Sequence, residues 1–455
     1  MALNFPYYLG TELRACFFLP NIRGRLLAHI VLTTLGSYGD LHPILSLGLA
    51  LKKNQHQVTI ATSEYYRENV KQVGLNFHPI RPDLTDDPHM AQQLMDPVKG
   101  PQYLMQALLM PALPHMLEDL RPVVEHCDAL LTTTLVFPAP LLARLFNKPW
   151  ASVVFQPMTL MSAIDPPYFP NIPYWGNSLI QQAPMGFQIM RQLGELWTNT
   201  WFQKFHQLRH QLGISDYGNP AFQGQFSPYL NLAMFPSVMG SPQEDWPEYT
   251  QQTGYVSHPE LDLSDEQMTP DLKQFLDGGD SPVVVTLGTA ASRAPGKVYH
   301  ELLQGLEQAN ERAVVLVGKQ HFHRYTAPSD NIFIAPYAPF HQLFPKAKLI
   351  IHSCGMGTLT KALKSGKPQL MVPFAFDQPD NARRLKKLGV GEVIPNYQLN
   401  ARRLHQVLRQ YKTSCSYENN ARKIKSKITS AEEATQKAVQ YIESELLKPL
   451  PQSHT

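Results

Sequence analysis

Apolar residues in this chain come in short runs, and several runs are followed by a turn of small residues and then by a segment with helical spacing. Leu26 to Leu35, LLAHIVLTTL, is almost continuously apolar, which predicts a parallel strand buried on both faces. Gly36 to Asp40 predicts a turn. Leu41 to Lys53 then sets Leu41, Leu45, Gly48 and Leu49 on one helical face, with Pro43 in the first turn, where proline is tolerated. Val58 to Thr62 predicts the next strand. Strand, helix and strand in that order open a doubly wound sheet. The alternation continues beyond Leu75, with a strand over Asp128 to Thr132 and a helix over Pro138 to Phe146.

From Phe155 to Trp246 the pattern changes, and prolines, aromatics and methionines crowd together. A long proline-rich loop is expected first. A helix over Gly186 to Leu212 follows, and its apolar residues, at helical spacing, are expected to face the core. Ser241 to Ser281 is rich in prolines and charges and reads as a domain boundary. Pro282 to Leu287, PVVVTL, opens a second alternation: a turn over Gly288 to Ser292, a helix over Lys297 to Asn310, and strands over Ala313 to Val317, Ile332 to Ala335 and Lys348 to Ile351. A small-residue turn, Ser353 to Gly357, leads into a helix over Thr358 to Lys364, which Gly366 and Pro368 end. Gln369 to Phe374 reads as a strand, and helices over Asn400 to Arg409 and Asn420 to Leu447 close the chain. The fold class read from this is α/β, with two doubly wound parallel sheets.

Two of the turns carry candidate chemistry. The glycines of Ser353 to Gly357 let backbone N–H groups crowd a helix N-terminus, which carries partial positive charge and suits a phosphate. The signal is weak alone, since most glycine turns before helices bind nothing. The third glycine of a dinucleotide fingerprint is replaced by Thr360, which weakens a nicotinamide or flavin reading. In the first turn, Asp40 reads both as a helix N-cap and as a general base, two compatible roles. His42 is the rival base, or a solvated histidine of the first turn.

Composition narrows the function classes. Among 455 residues, 43% hydrophobic and 17% charged, the net charge of +3 argues against a nucleic-acid protein. Cys16, Cys127, Cys354 and Cys415 lie far apart, so neither a zinc site nor a disulfide framework is indicated, and a reduced cytoplasm fits best. No run of about 18 apolar residues suggests a membrane span. The first 25 residues, interrupted by Glu12, Arg14 and Pro20, do not form a signal-peptide core and read as a poorly structured lead or as an artefact of start-site choice. Arg383, Arg384, Lys386 and Lys387 read as a solvated helix face, with peripheral contact to anionic lipid as the alternative.

The stretch H-S-C-G-M-G-T, then G-K-P, then P-F-A-F-D-Q-P-D-N-A-R-R-L resembles the donor signature of GT-B glycosyltransferases. The opening G-S-Y-G-D-L-H-P-I-L-S-L-G-L-A-L is similar to the N-terminal loop and first helix of the same family. The nearest branch is the bacterial enzymes that glycosylate macrolides, glycopeptides and sterols, within the UDP-glycosyltransferase superfamily. The resemblance covers roughly Leu26 to Glu445.

It implies two Rossmann-like domains facing across a cleft. The divisions it implies are a lead (1–25), an acceptor domain (26–245), a linker (246–281), a donor domain (282–430) and a helix crossing back (431–455). It implies inverting transfer of a sugar from a UDP- or dTDP-sugar to the hydroxyl of an apolar alcohol, phenol or lipid. It implies no cofactor and no metal, and the chain has no D-x-D motif. Asp40 would be the base. Gly36 and Ser37 in the first loop, Gly288 and Thr289 after the first strand of the second sheet, and Gly355, Gly357 and Thr358 would face the donor. Tyr337 stands where plant relatives stack a tryptophan on uracil. Asp377 and Gln378 would hold the sugar. Two departures stand out: the family's phosphate-binding histidine falls on Ser353, whose hydroxyl would donate to a donor phosphate oxygen, with His352 beside it as a donor-binding substitute by a local shift, and its ribose-binding glutamate falls on Lys361. A sugar-nucleotide epimerase of the same fold, or a nucleotide-sugar-binding relative that lost catalysis, are the other readings. The aromatic-rich insert speaks against the first, and Asp40, Asp377 and Gln378 against the second.

Overall fold

A computed structural model describes residues 27–83, 87–170, 172–215, 217–258, 261, 267–413 and 415–447. The expectation for residues 1–25 lies outside them. The first sheet contains β1 (His29–Thr33), β2 (Gln57–Thr62), β3 (Asn76–Pro79), β4 (Ala129–Thr133), β5 (Trp150–Val154), β6 (Leu230–Ala233) and β7 (Thr250–Gln252). Its order is β3-β2-β1-β4-β5-β6-β7, and every neighbouring pair is parallel. The second contains β8 (Val283–Thr286), β9 (Ala313–Leu316), β10 (Ile332–Ala335), β11 (Leu349–His352), β12 (Gln369–Met371) and β13 (Gly391–Val393). Its order, β10-β9-β8-β11-β12-β13, repeats that of the first sheet's leading six strands, again all parallel.

The apolar runs are continuous because each strand feeds two cores. In β1, Ile30 and Leu32 join one buried cluster and Val31 the other. In β8, Val283 and Val285 face one layer and Val284 the opposite one. In both sheets the strand order reverses beside the first strand, between β1 and β4 and between β8 and β11. Ligands of open α/β sheets bind at such switch points, beyond the carboxyl ends of the strands. Asp40, Gly288 and Ser353 follow shortly after the carboxyl ends of β1, β8 and β11.

Several elements depart from the sequence reading. The first helix runs Tyr38–Lys53, so Asp40 lies inside it and Ser37 is its N-cap. The stretch read as one helix from Asn420 to Leu447 is two helices, Ser416–Lys425 and Ala431–Tyr441, the second capped by Ser430. Ala434, Ala438 and Ile442 of the final segment sit in the first sheet's core beside Ile30 and Leu45. Within 246–281, β7 completes the first sheet, and Leu272 and Leu276 of the Pro270–Asp277 helix pack on the second. No helix among the described residues is long and apolar enough to cross a membrane.

Two further readings are overturned. The helix expected over Gly186 to Leu212 is Pro184–Asn199 followed by Gln203–Gln211. Phe202, Phe205 and Leu208 are buried as expected, but Ile189, Leu193, Leu196 and Trp197 face solvent. Periodicity shows that a helix has an apolar face, not which way it turns. Nor is Arg384 on a solvated face. It is 5% exposed, and its Nε donates to Asp380 Oδ2 at 2.7 Å, its Nη1 to Met239 O at 2.9 Å and also to Asp165 Oδ2. Arg383 Nη2 reaches Asp380 Oδ1 and Pro166 O, both at 3.2 Å. Tyr168 N donates to the same Asp380 Oδ1 at 2.9 Å. This buried network joins the Gln378–Lys387 helix of the second sheet to the proline-rich loop of the first.

Candidate functional site

The first loop is built around Asp40. As the third residue of its helix it closes a capping box, accepting from Ser37 N on Oδ2 at 2.8 Å, while Ser37 Oγ accepts from Gly39 N at 3.1 Å. Gly36, at φ +138°, has no room for a side chain, because a Cβ there would overlap the Asp40 carboxylate. Tyr66 OH donates to Gly36 O at 2.9 Å and fixes the loop from the other side. His42 lies against Tyr38, the rings tilted and their centroids 5.3 Å apart, two residues round the helix from Asp40 and so on another face.

Across the cleft, Gly355 is the N-cap of the Met356–Ser365 helix and no side chain caps that end. The N–H groups of the first turn are left to another partner. A Cβ on Gly355 would meet nothing within 4 Å, so space stands in front of it. The two turns of the second sheet converge here. A Cβ on Gly288 would lie 3.5 Å from Thr358 Oγ1 and 3.8 Å from Ser353 Oγ. The stretch read as a turn after Gly288 is a short helix, Gly288–Arg293, with Thr289 in its first turn. Gly357 backs onto Tyr255, whose OH would be 2.8 Å from an added Cβ.

Asp377 and Asp40 bring the two halves together. Burial lifts the Asp377 carboxyl to about 7, and the charge of Asp40 adds to the rise. Burial lifts Asp40 itself to about 6, against the pull of the Ser37 hydrogen bonds. The two carboxyl groups, one from each sheet, therefore feel each other across the cleft. A charge on Asp40 favours the protonated form of Asp377, so the two titrate as a coupled pair. Gln378 is buried and turns inward, its Oε1 accepting from Phe374 N at 2.9 Å.

The side chains of His352 and Ser353 are both taken up by neighbouring strands, at Gln369 and Leu287. His352 is fully buried, its Nδ1 accepting from Cys354 N at 3.1 Å and its Nε2 2.9 Å from Gln369 Oε1. With Nδ1 an acceptor, Nε2 carries the proton. Burial lowers the ring's pKa to about 4, so the imidazole is neutral. Ser353 Oγ donates to Leu287 O at 2.6 Å, pinning the β11 turn to the end of β8. Tyr337 is half-buried after β10, with its ring 6.2 Å from Phe340. Lys361 Nζ lies 5.6 Å over that same Phe340 ring.

Sequence reasoning passed over two residues. Asn381 Nδ2 donates to Asp377 Oδ2 at 2.7 Å and to Cys354 O at 3.0 Å, so it ties the Asp377 motif to the glycine turn. Its signal was the four-residue spacing from Asp377 on one helix. Arg293, at the end of the short helix after β8, lies 5.7 Å over the Tyr65 ring, from one sheet's turns to the other's. Nothing local in the sequence marks that contact.

This chain matches two family models. Residues 30–115 match the glycosyltransferase family 28 N-terminal domain, and residues 300–444 match the erythromycin biosynthesis protein CIII-like C-terminal domain. The two models and the relatives below support a member of the UDP-glycosyltransferase superfamily. The chain is a glycosyltransferase with the GT-B fold. O-mycaminosyltylonolide 6-deoxyallosyltransferase of Streptomyces fradiae is 27% identical over 91% of this chain and 96% of its own length. Sterol 3-beta-glucosyltransferase UGT80A2 of Arabidopsis thaliana is 24% identical over 80% of this chain, which spans only 57% of that relative. Among solved structures, the glycosyltransferase of kitacinnamycin superposes with a TM-score of 0.69 over 92% of this chain and all of its own, at 18% identity. The glycosyltransferase VinC, solved with dTDP, gives 0.59 over 91% of this chain and 98% of its own, at 19% identity.

Proposed function

We propose that this glycosyltransferase moves a sugar from a nucleoside diphosphate donor to a hydroxyl of an apolar acceptor, with inversion at the anomeric carbon. The observation that carries the reading is the helix N-terminus at Gly355 that no side chain caps, with open space before it and with the charge of Asp40 felt by Asp377 beside it. The names of the relatives support it. One is named for transfer to O-mycaminosyltylonolide and one for sterols, and VinC was solved with dTDP.

In this reading the diphosphate lies at the first turn of the Met356–Ser365 helix, next to Gly288, Thr289 and Thr358. Backbone N–H groups and the helix dipole stabilise the charge that grows as the diphosphate leaves, a task for which no metal is asked. Tyr337 stacks on the base. The acceptor oxygen attacks the anomeric carbon, the bond from that carbon to the phosphate oxygen breaks, and the acceptor proton passes to Asp40. Asp377 meets a sugar hydroxyl. Below about pH 7 it keeps its proton and donates. Ser353 holds the turn through Leu287 O rather than supplying charge. His352, neutral and enclosed, shapes the end of β11 from beneath.

The pH dependence follows from the base. Asp40 must be ionised to accept a proton, so kcat/KM should fall as pH drops through about 6. A profile flat to pH 4 would remove Asp40 from that role. The function itself is tested by incubating the protein with UDP-glucose or dTDP-glucose and a set of apolar alcohols and phenols. A β-glucoside from an α-linked donor is the expected product. An α-glucoside would contradict the single displacement.

A further inference from the structure

Two neighbouring strands of the second sheet lead into the same local feature. Cys354, beyond the end of β11, holds φ +71°, and Phe376, beyond the end of β12, holds φ +56°. Both lie in the left-handed region, which a residue with a side chain adopts only where its surroundings hold it there. Each stands directly before a residue of the candidate site, Cys354 before Gly355 and Phe376 before Asp377. Strain of this kind gathers where a site must be ordered before its ligand arrives.

One buried side chain is bonded to both turns. Asn381, on the Gln378–Lys387 helix, is 1% exposed, and its Nδ2 donates to Cys354 O at 3.0 Å and to Asp377 Oδ2 at 2.7 Å. Its Oδ1 is buried and has no partner among the described residues. The amide is therefore used for its two donors, and the reversed amide would set one acceptor against another at Cys354 O. From the other side, His352 Nδ1 accepts from Cys354 N at 3.1 Å. Both polar groups of the Cys354 backbone are thus held by buried side chains. That hold orients the next residue. A trans peptide is planar, so the N–H of Gly355 points opposite to the C=O of Cys354. With Cys354 O turned in to Asn381, Gly355 N–H points away from it, and no acceptor for that N–H stands among the described residues. A flipped peptide would present Cys354 O in its place and repel an anion.

We propose that Asn381 is a positioning residue for the donor: it fixes the Cys354–Gly355 peptide with its N–H toward the diphosphate and holds the Asp377 carboxyl group in register with that turn. The phosphate side and the sugar side of the site are then set by one buried amide before the donor binds, which spares the donor the cost of ordering them. The inference rests on the donor reading above and adds to it the residue that orders that site.

Asn381→Ala, which removes both donors, tests it by comparing a diphosphate with its nucleoside. Affinity for dTDP or UDP should fall about tenfold. Affinity for thymidine or uridine, followed by ligand NMR line widths, should stay within about twofold, because the nucleoside has no phosphate to meet the turn. Equal losses for both ligands would show a loosened fold alone and overturn the inference, and so would an unchanged diphosphate affinity. Asn381→Asp keeps the volume and loses the NH2, so it should show the same selective loss without a cavity. Carboxyl chemical shifts add a reading that needs no ligand. Burial raises the Asp377 carboxyl to about 7 and the Asn381 bond restrains the rise, so Asn381→Ala should move its titration higher. An unmoved titration would remove the bond on which the inference stands. A parent with no preference for the diphosphate over the nucleoside would overturn the donor reading itself, whereas variants that bind the diphosphate as the parent does would overturn only the role of Asn381.

Discussion

Asp40→Asn should lower the transfer rate by about 10²- to 10⁴-fold while leaving nucleotide affinity within a few fold. The asparagine keeps the shape, and its side-chain oxygen can still accept from Ser37 N, so the first helix keeps most of its cap. What it loses is the ability to take a proton. The substitution has a second expected consequence, one that a purely structural role would not produce. The charge of Asp40 adds to the raised pKa of Asp377. Without that charge, Asp377 should titrate below about 7, which carboxyl chemical shifts would report. Transfer near the parental rate would show that another group takes the proton.

Arg384→Ala should be the most destabilising single change at the junction of the two sheets. Asp380 is fully buried and its carboxylate is paired with Arg384 and Arg383. Removing Arg384 leaves much of that charge uncompensated in a low-dielectric site, which costs about 3–5 kcal/mol. It also strips Asp165 and Met239 O of their donor. Thermal unfolding should begin several degrees lower. The double change Asp380→Asn/Arg384→Met, which removes both charges, should recover a good part of the loss. If the single variant unfolded with the parent, the network would be ornamental. If the double variant were worse than the single one, unpaired charge would not be the cause.

The central strands were legible because parallel strands buried on two faces need continuous apolar runs, and PVVVTL and LLAHIVLTTL have no other use. The glycine turn was legible because Gly355, Gly357 and Gly366 punctuate one helix. Arg384 was not. Its near partner Asp380 is four residues away on the same helix, but Asp165 comes from a loop 219 residues distant. No local pattern separates a buried arginine from the exposed lysines beside it. His352 was misplaced for a different reason. Adjacent residues at a strand end point to opposite sides, so His352 turns to Gln369 and Ser353 to Leu287. A motif alignment that treats the two as interchangeable misses that alternation. The outward face of the Pro184–Asn199 helix hides in the same way, since an amphipathic pattern reads alike whether its stripe meets a core or solvent.

The measurement that tests the account most directly is calorimetric titration of UDP and dTDP into the parent and into Gly355→Asp. Gly355 has ordinary extended backbone, φ −61° and ψ 139°, with open space before its Cα. Aspartate is a favoured N-cap, so the variant should fold as well as the parent or slightly better, by up to about 1 kcal/mol. Its carboxylate would occupy the ground on which the diphosphate is proposed to sit. The expected result is micromolar binding of one nucleotide to the parent and its loss in a variant whose unfolding midpoint is unchanged or raised. Undiminished binding to the variant, or no binding of either nucleotide to the parent, would contradict a diphosphate site at this helix.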